Sequence, residues 1–157
     1  MRTQLQSDDS RRHVRSGFTM IETMIVITIL ATIVAMALPQ FNRTTRHRRV
    51  IAAATAVAGD VEAAFSLAAR QRKPLRITYD AGSGEIRVAD RLTGTVYRRR
   101  PLRMTSEYKL DAVTFIPATV EVFPGGISSA GFNIGLTNGA FQRQIQVTRT
   151  GLTRVTP

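Results

Sequence analysis

Residues 16–39 read SGFTMIETMIVITILATIVAMALP, and the rest of the chain is organised around this stretch. Residues 18–38 are apolar apart from Thr19, Thr23, Thr28, Thr32 and Glu22. Rising about 1.5 Å per residue, such a helix spans roughly 31 Å, the thickness of a bilayer's hydrocarbon core. A polar segment, 1–17, precedes it, with Arg2, Arg11, Arg12 and Arg15 outnumbering Asp8 and Asp9. Pro39 follows it, and then a basic patch of Arg43, Arg46, His47, Arg48 and Arg49. Arginines therefore flank both ends, and charge alone leaves the membrane orientation open.

Beyond Pro39 the pattern stays helical to residue 73. Val50, Ala54, Val57, Val61, Phe65 and Ala68 recur at steps of three and four, one helical face. Gly59 interrupts it at a cost of about 1 kcal/mol relative to Ala, and Pro74 closes it. From residue 74 the period changes to two. Leu75, Ile77 and Tyr79 alternate with Arg76, Thr78 and Asp80, and Ile86 and Val88 with Glu85 and Arg87. Ala81-Gly82-Ser83-Gly84 between the runs has turn composition, so a hairpin is expected. Further strands are expected at 95–99, 110–116, 119–123, 130–137 and 141–149, separated by Pro117, Pro124-Gly125-Gly126 and Asn138-Gly139. The expected fold is α+β: a long N-terminal helix, membrane-spanning over 18–38 and amphipathic over 39–73. It packs on a small antiparallel, β-sandwich-like domain of residues 74–157.

The 157-residue length fits one domain with an appendage. The absence of Cys excludes disulfides, a thiol nucleophile, a thiolate zinc site and an iron–sulfur cluster. With two His, a histidine-rich metal centre is excluded too, and no Asp/Asn cluster suggests a calcium cage. The net charge of +11 comes almost wholly from Arg, since Lys73 and Lys109 are the only lysines.

Three readings compete for residues 18–38. One is an uncleaved anchor. Another is a secretory signal peptide cut after Ala35-Met36-Ala37, leaving Leu38 at the new N-terminus, although the apolar run exceeds the roughly 7–15 residues of such signals. The third starts from Glu22. A carboxylate costs about 2.5–3.5 kcal/mol at a bilayer's centre and less near its edge, so it either snorkels or meets a cation. A free α-amino group on Phe18, one turn away, would supply that cation after cleavage between Gly17 and Phe18.

Ser16-Gly17-Phe18-Thr19-Met20-Ile21-Glu22, between a basic leader and an apolar helix, resembles the class III signal of type IV prepilins and type II secretion pseudopilins. The resemblance implies a leader of residues 1–17, removed by a prepilin peptidase that cuts after Gly17 and N-methylates Phe18. It implies that Glu22 serves assembly and that Pro39 kinks the helix where it leaves the membrane. It also implies a bacterial inner-membrane protein with its C-terminal domain in the periplasm, built into a filament with other pseudopilins.

The C-terminal third, from Val120-Glu121-Val122-Phe123-Pro124-Gly125-Gly126 to Ile145-Gln146-Val147-Thr148-Arg149-Thr150-Gly151, is similar to GspH/FimT-type minor pseudopilins. Two functions follow from that resemblance. One is a minor pseudopilin of type II secretion, with exoprotein cargo as a possible partner. The other is a type IV pilus minor pilin that binds DNA during uptake through a Gly-Arg-x-Arg motif. Here that stretch reads Gly151-Leu152-Thr153-Arg154, with Leu152 in place of the first Arg and Arg149 as a spatial substitute for it. Without residues 1–17 the chain keeps 18 basic and nine acidic side chains, a net +9, enough for non-specific phosphate contacts. Arg98-Arg99-Arg100 and Arg103 could form such a patch, or could guard a strand edge against pairing.

No enzyme and no cofactor are expected. Asp60 and Glu62 stand two apart on a helix and do not face each other. Asp80, Glu85 and Asp90 sit at strand ends and turns, His13 falls in the leader, and His47 lies among arginines. Gly82-Ser83-Gly84 is too short for a phosphate loop.

Overall fold

The computed structural model describes residues 17–103 and 106–157. The leader expected at 1–17, with its arginines and His13, lies outside them except for Gly17. The chain forms one α-helix, α1 (Met20–Gln71), then eight strands. These are β1 (Leu75–Asp80), β2 (Glu85–Asp90), β3 (Val96–Pro101), β4 (Ala112–Ile116), β5 (Thr119–Val122), β6 (Phe132–Asn138), β7 (Phe141–Val147) and β8 (Thr153–Thr156). Contacts divide the chain into two compact units, with the boundary after Pro39.

The first unit holds the apolar part of α1, whose large side chains, Ile21 to Leu38, are all exposed. It is long and apolar enough to cross a membrane. Pro39 lies inside the helix and brings no N–H, so one main-chain bond to the preceding turn is missing there.

In the second unit α1 buries Val50, Ala53, Ala54, Val57, Asp60, Val61, Ala64 and Ala68. Most are small, which lets the helix axis approach the sheets closely. Phe65, expected on this face, is half-buried against the same core. Arg72, in the left-handed region at φ 52°, ends the helix, and Pro74 prevents its resumption.

The strands form two antiparallel four-stranded sheets, ordered β3-β2-β1-β5 and β4-β6-β7-β8. Ile77 on β1 lies between Val88 on β2 and Val120 on β5, and all three are buried. Ile134 on β6 pairs with Ile145 on β7, and both are fully buried. These residues join the buried face of α1 in one core, where each large aliphatic side chain contributes about 1.5–3 kcal/mol. The α+β architecture is the one expected: a long helix on two small antiparallel sheets.

Three local features differ from the sequence reading. The tail forms an additional strand, β8, that pairs with β7. Asn138 is itself a strand residue paired with Phe141, so the two-residue turn is Gly139-Ala140, with Gly139 at φ 62°. Asn138 is buried and donates from Nδ2 to the Lys109 carbonyl at 2.8 Å. Asp60, considered above only as a carboxylate that does not face Glu62, is 3% exposed and lies in the buried face.

Candidate functional site

The N-terminal motif has a local geometry that explains part of its composition. Thr19 precedes the first helical residue, and its hydroxyl accepts from the Glu22 N–H at 3.3 Å. Thr19-Met20-Ile21-Glu22 is thus a capping-box sequence, a signal the motif reading overlooked. Glu22 sits in the first turn of α1, where free N–H groups and the helix dipole favour a negative charge. Among the described residues it makes no ion pair. Thr23, Thr28 and Thr32 donate their hydroxyls to the carbonyls of Met20, Met24 and Thr28, each at 2.8 Å. These three threonine hydroxyls are therefore satisfied inside the helix, which is what a hydrocarbon surrounding demands.

Gly17 has open space where a Cβ would stand, and its φ is not in the left-handed region. Among the described residues nothing requires glycine there. Phe18 is 78% exposed.

The basic residues fall into separate settings. Arg46 packs against the β6–β7 turn, where a Cβ on Gly139 would come within 2.9 Å of its guanidinium. His47 meets the Phe141 ring edge-on at 5.0 Å. Arg98 and Arg100, side by side on the inner face of β3, close on Asp60. Asp60 Oδ1 accepts from Arg98 Nη1 at 2.7 Å and from Arg100 Nη2 at 2.9 Å, and Oδ2 accepts from Arg100 Nε. That hydrogen bonding holds the Arg100 guanidinium even more firmly charged than usual. Arg100 also donates to the Tyr108 hydroxyl at 3.2 Å. Arg103 lies over Gly84 and donates to the Ala81 carbonyl at 3.4 Å. The patch anticipated at Arg98–Arg103 is therefore divided: two arginines face a carboxylate, one covers a turn, and Arg99 alone projects from the outer face. As the edge-guarding alternative supposed, β3 is an edge strand.

Arg149 lies in the β7–β8 loop and donates from Nε to the Ser128 carbonyl at 3.4 Å. Arg154 is exposed on β8, paired with Gln146. Between them Gly151 has φ 82°, and a Cβ there would stand 2.9 Å from the Phe65 ring. Sequence similarity marked this glycine without its reason: the loop crosses the helix at that point with no room for a side chain.

The match to known families falls on the N-terminus. Residues 12–38 match the prokaryotic N-terminal methylation motif, a span that contains Gly17, Phe18 and Glu22. No curated protein matches the chain. Among solved structures, the type IV minor pilin FimU of Pseudomonas aeruginosa is similar in two crystal forms. One gives a TM-score of 0.54 over 68% of this chain and 91% of FimU, the other 0.58 over 73% and 92%, both at 13% identity. The chain thus joins a prepilin-type N-terminal motif to a pilin-like α+β fold. That combination agrees with a GspH/FimT-type minor pseudopilin, and the apolar helix with its motif marks a membrane anchor.

Proposed function

We propose that this chain is a minor pseudopilin of a type II secretion system, a structural subunit that works by assembly. A prepilin peptidase cuts between Gly17 and Phe18 and the new Phe18 amine is methylated. The apolar half of α1 then holds the subunit in the bacterial inner membrane, with residues 40–157 in the periplasm. On entry into the filament, Glu22 pairs with the N-terminal amine of a neighbouring pseudopilin. Such a pair offsets the cost of carrying a carboxylate through hydrocarbon, about 2.5–3.5 kcal/mol at full depth. The missing main-chain bond at Pro39 supports a bend where the helix leaves the bilayer.

The observation that carries this reading is the methylation motif at residues 12–38 on a chain whose remainder folds like a pilus minor subunit. Preference for secretion over DNA uptake rests on the arginines. Leu152 occupies the place of an arginine, Arg149 is turned onto Ser128, and Arg98 and Arg100 face Asp60. Exoprotein cargo is then the partner of the periplasmic domain. The likeness to FimU favours a second reading, a type IV pilus minor pilin, in which the exposed Arg154 contributes to DNA contact.

Two measurements test these readings. The mass of the chain isolated from its own membranes is expected to correspond to an N-methylated Phe18 start; a Leu38 or Met1 start overturns the filament role. Deletion of the gene is expected to strand exoproteins in the periplasm and leave DNA uptake intact. Normal secretion with lost transformation would establish the pilus reading instead.

A further inference from the structure

A cavity of about 460 Å³ opens where the second half of α1 meets β3. Asp60, Ala63, Leu67 and Arg70 line its helix side, Tyr97 and Arg98 its strand side. Among the described residues β3 is the outermost strand of its sheet and pairs with β2 alone, so its other edge offers main-chain N–H and C=O groups to a further strand. The charge at the mouth is positive, because Arg70 and Arg98 outweigh Asp60, whose two oxygens already accept from Arg98 and Arg100.

We propose that this groove captures an extended acidic segment of a partner protein, which adds beside β3 as a fifth strand. Strand addition places alternate side chains on the helix-facing side of the sheet. There, small apolar side chains lie over Ala63 and Leu67, and carboxylates meet Arg70, the lining arginine that Asp60 does not hold. Three consecutive arginines on an edge repel basic strands and the same edge of a second copy. The charge that guards this edge thus becomes a filter admitting acidic segments. The groove lies wholly within residues 40–157 and does not depend on whether the filament serves secretion or a pilus.

The test titrates the full-length chain, held in detergent micelles, against a fluorescein-labelled peptide of alternating glutamate and valine, read by anisotropy. A saturable rise is expected, with no binding of the lysine–valine counterpart. Arg70→Glu, an exposed change that leaves the core intact, is expected to weaken binding about tenfold, and Ala63→Trp to do so by filling the groove. The diagnostic comparison is N-methylation of the peptide. Methylating one alternate set of amides removes the bonds to β3 and abolishes binding, while methylating the other set leaves it. The proposal is overturned by absence of saturable binding, by full binding to Arg70→Glu, or by equal response to both methylated sets. Complete displacement by a short DNA duplex would likewise overturn it, since the site would then read anionic charge without strand geometry.

Discussion

Replacing Asp60 with Ala removes the acceptor of three guanidinium hydrogen bonds and leaves Arg98 and Arg100 facing an apolar core. Both guanidiniums retain some exposure and can regain water, so the expected loss is about 2 kcal/mol, at the moderate end for a broken buried pair. Urea unfolding of the detergent-solubilised chain measures it, and an unchanged midpoint would show that the cluster adds nothing. Two other carboxylates act at turns. Asp80 is held below its ordinary value of 3.8, first by the Ser83 hydroxyl and then by the Gly82 and Ser83 N–H groups. Asp90 is lowered chiefly by the N–H groups of Thr93 and Leu92. A carboxylate depressed in the folded state stabilises it above its unfolded value and loses that contribution as acid protonates it. The domain is therefore expected to lose stability as pH falls below about 4, and Asp80→Asn together with Asp90→Asn is expected to flatten that slope in thermal unfolding. The sequence could place all three residues on their elements, but Asp60's role depends on partners 38 and 40 positions away.

At the level of elements, legibility followed how local each signal was. The buried face of α1 and the β1–β2 hairpin could be read because periods of 3.6 and 2 are set by neighbours in sequence. β8 could not, since Thr153–Thr156 shows no apolar alternation and bonds to one neighbour only. Nor could the sheet order be read. β4 and β5 follow each other in the chain yet belong to different sheets, and β5 reaches back to β1. The loop before β8 depends on Gly151, whose positive φ and contact with Phe65 both exclude a side chain. Gly151→Ala is expected to cost about 1–3 kcal/mol and to release β8 first. Hydrogen exchange of the 153–156 amides checks this: they should lose protection while those of β1 and β2 keep it. Uniform loss would mean that β8 is not a separable piece.

For the whole molecule, the N-terminal motif and the fold class were the legible parts, because a short motif carries its meaning in consecutive residues. The groove beside β3 was invisible, since it exists only once α1 and an edge strand 25 or more residues further along the chain meet. The assembly role of Glu22 is tested at this scale. Glu22→Ala keeps the Thr19 hydroxyl as a cap and leaves the segment more apolar, so membrane insertion is expected to be normal. Incorporation into sheared filaments is expected to fall steeply, and unchanged incorporation would remove the pairing idea. The continuity of α1 from Met20 to Gln71 has a mechanical consequence. If assembly draws the apolar half out of lipid, as proposed, the pull passes along the chain into the Val50–Ala68 interface. The Asp60 clamp then works as a rivet between that helix and β3, transmitting tension into the sheet and keeping the helix from sliding out of its own domain.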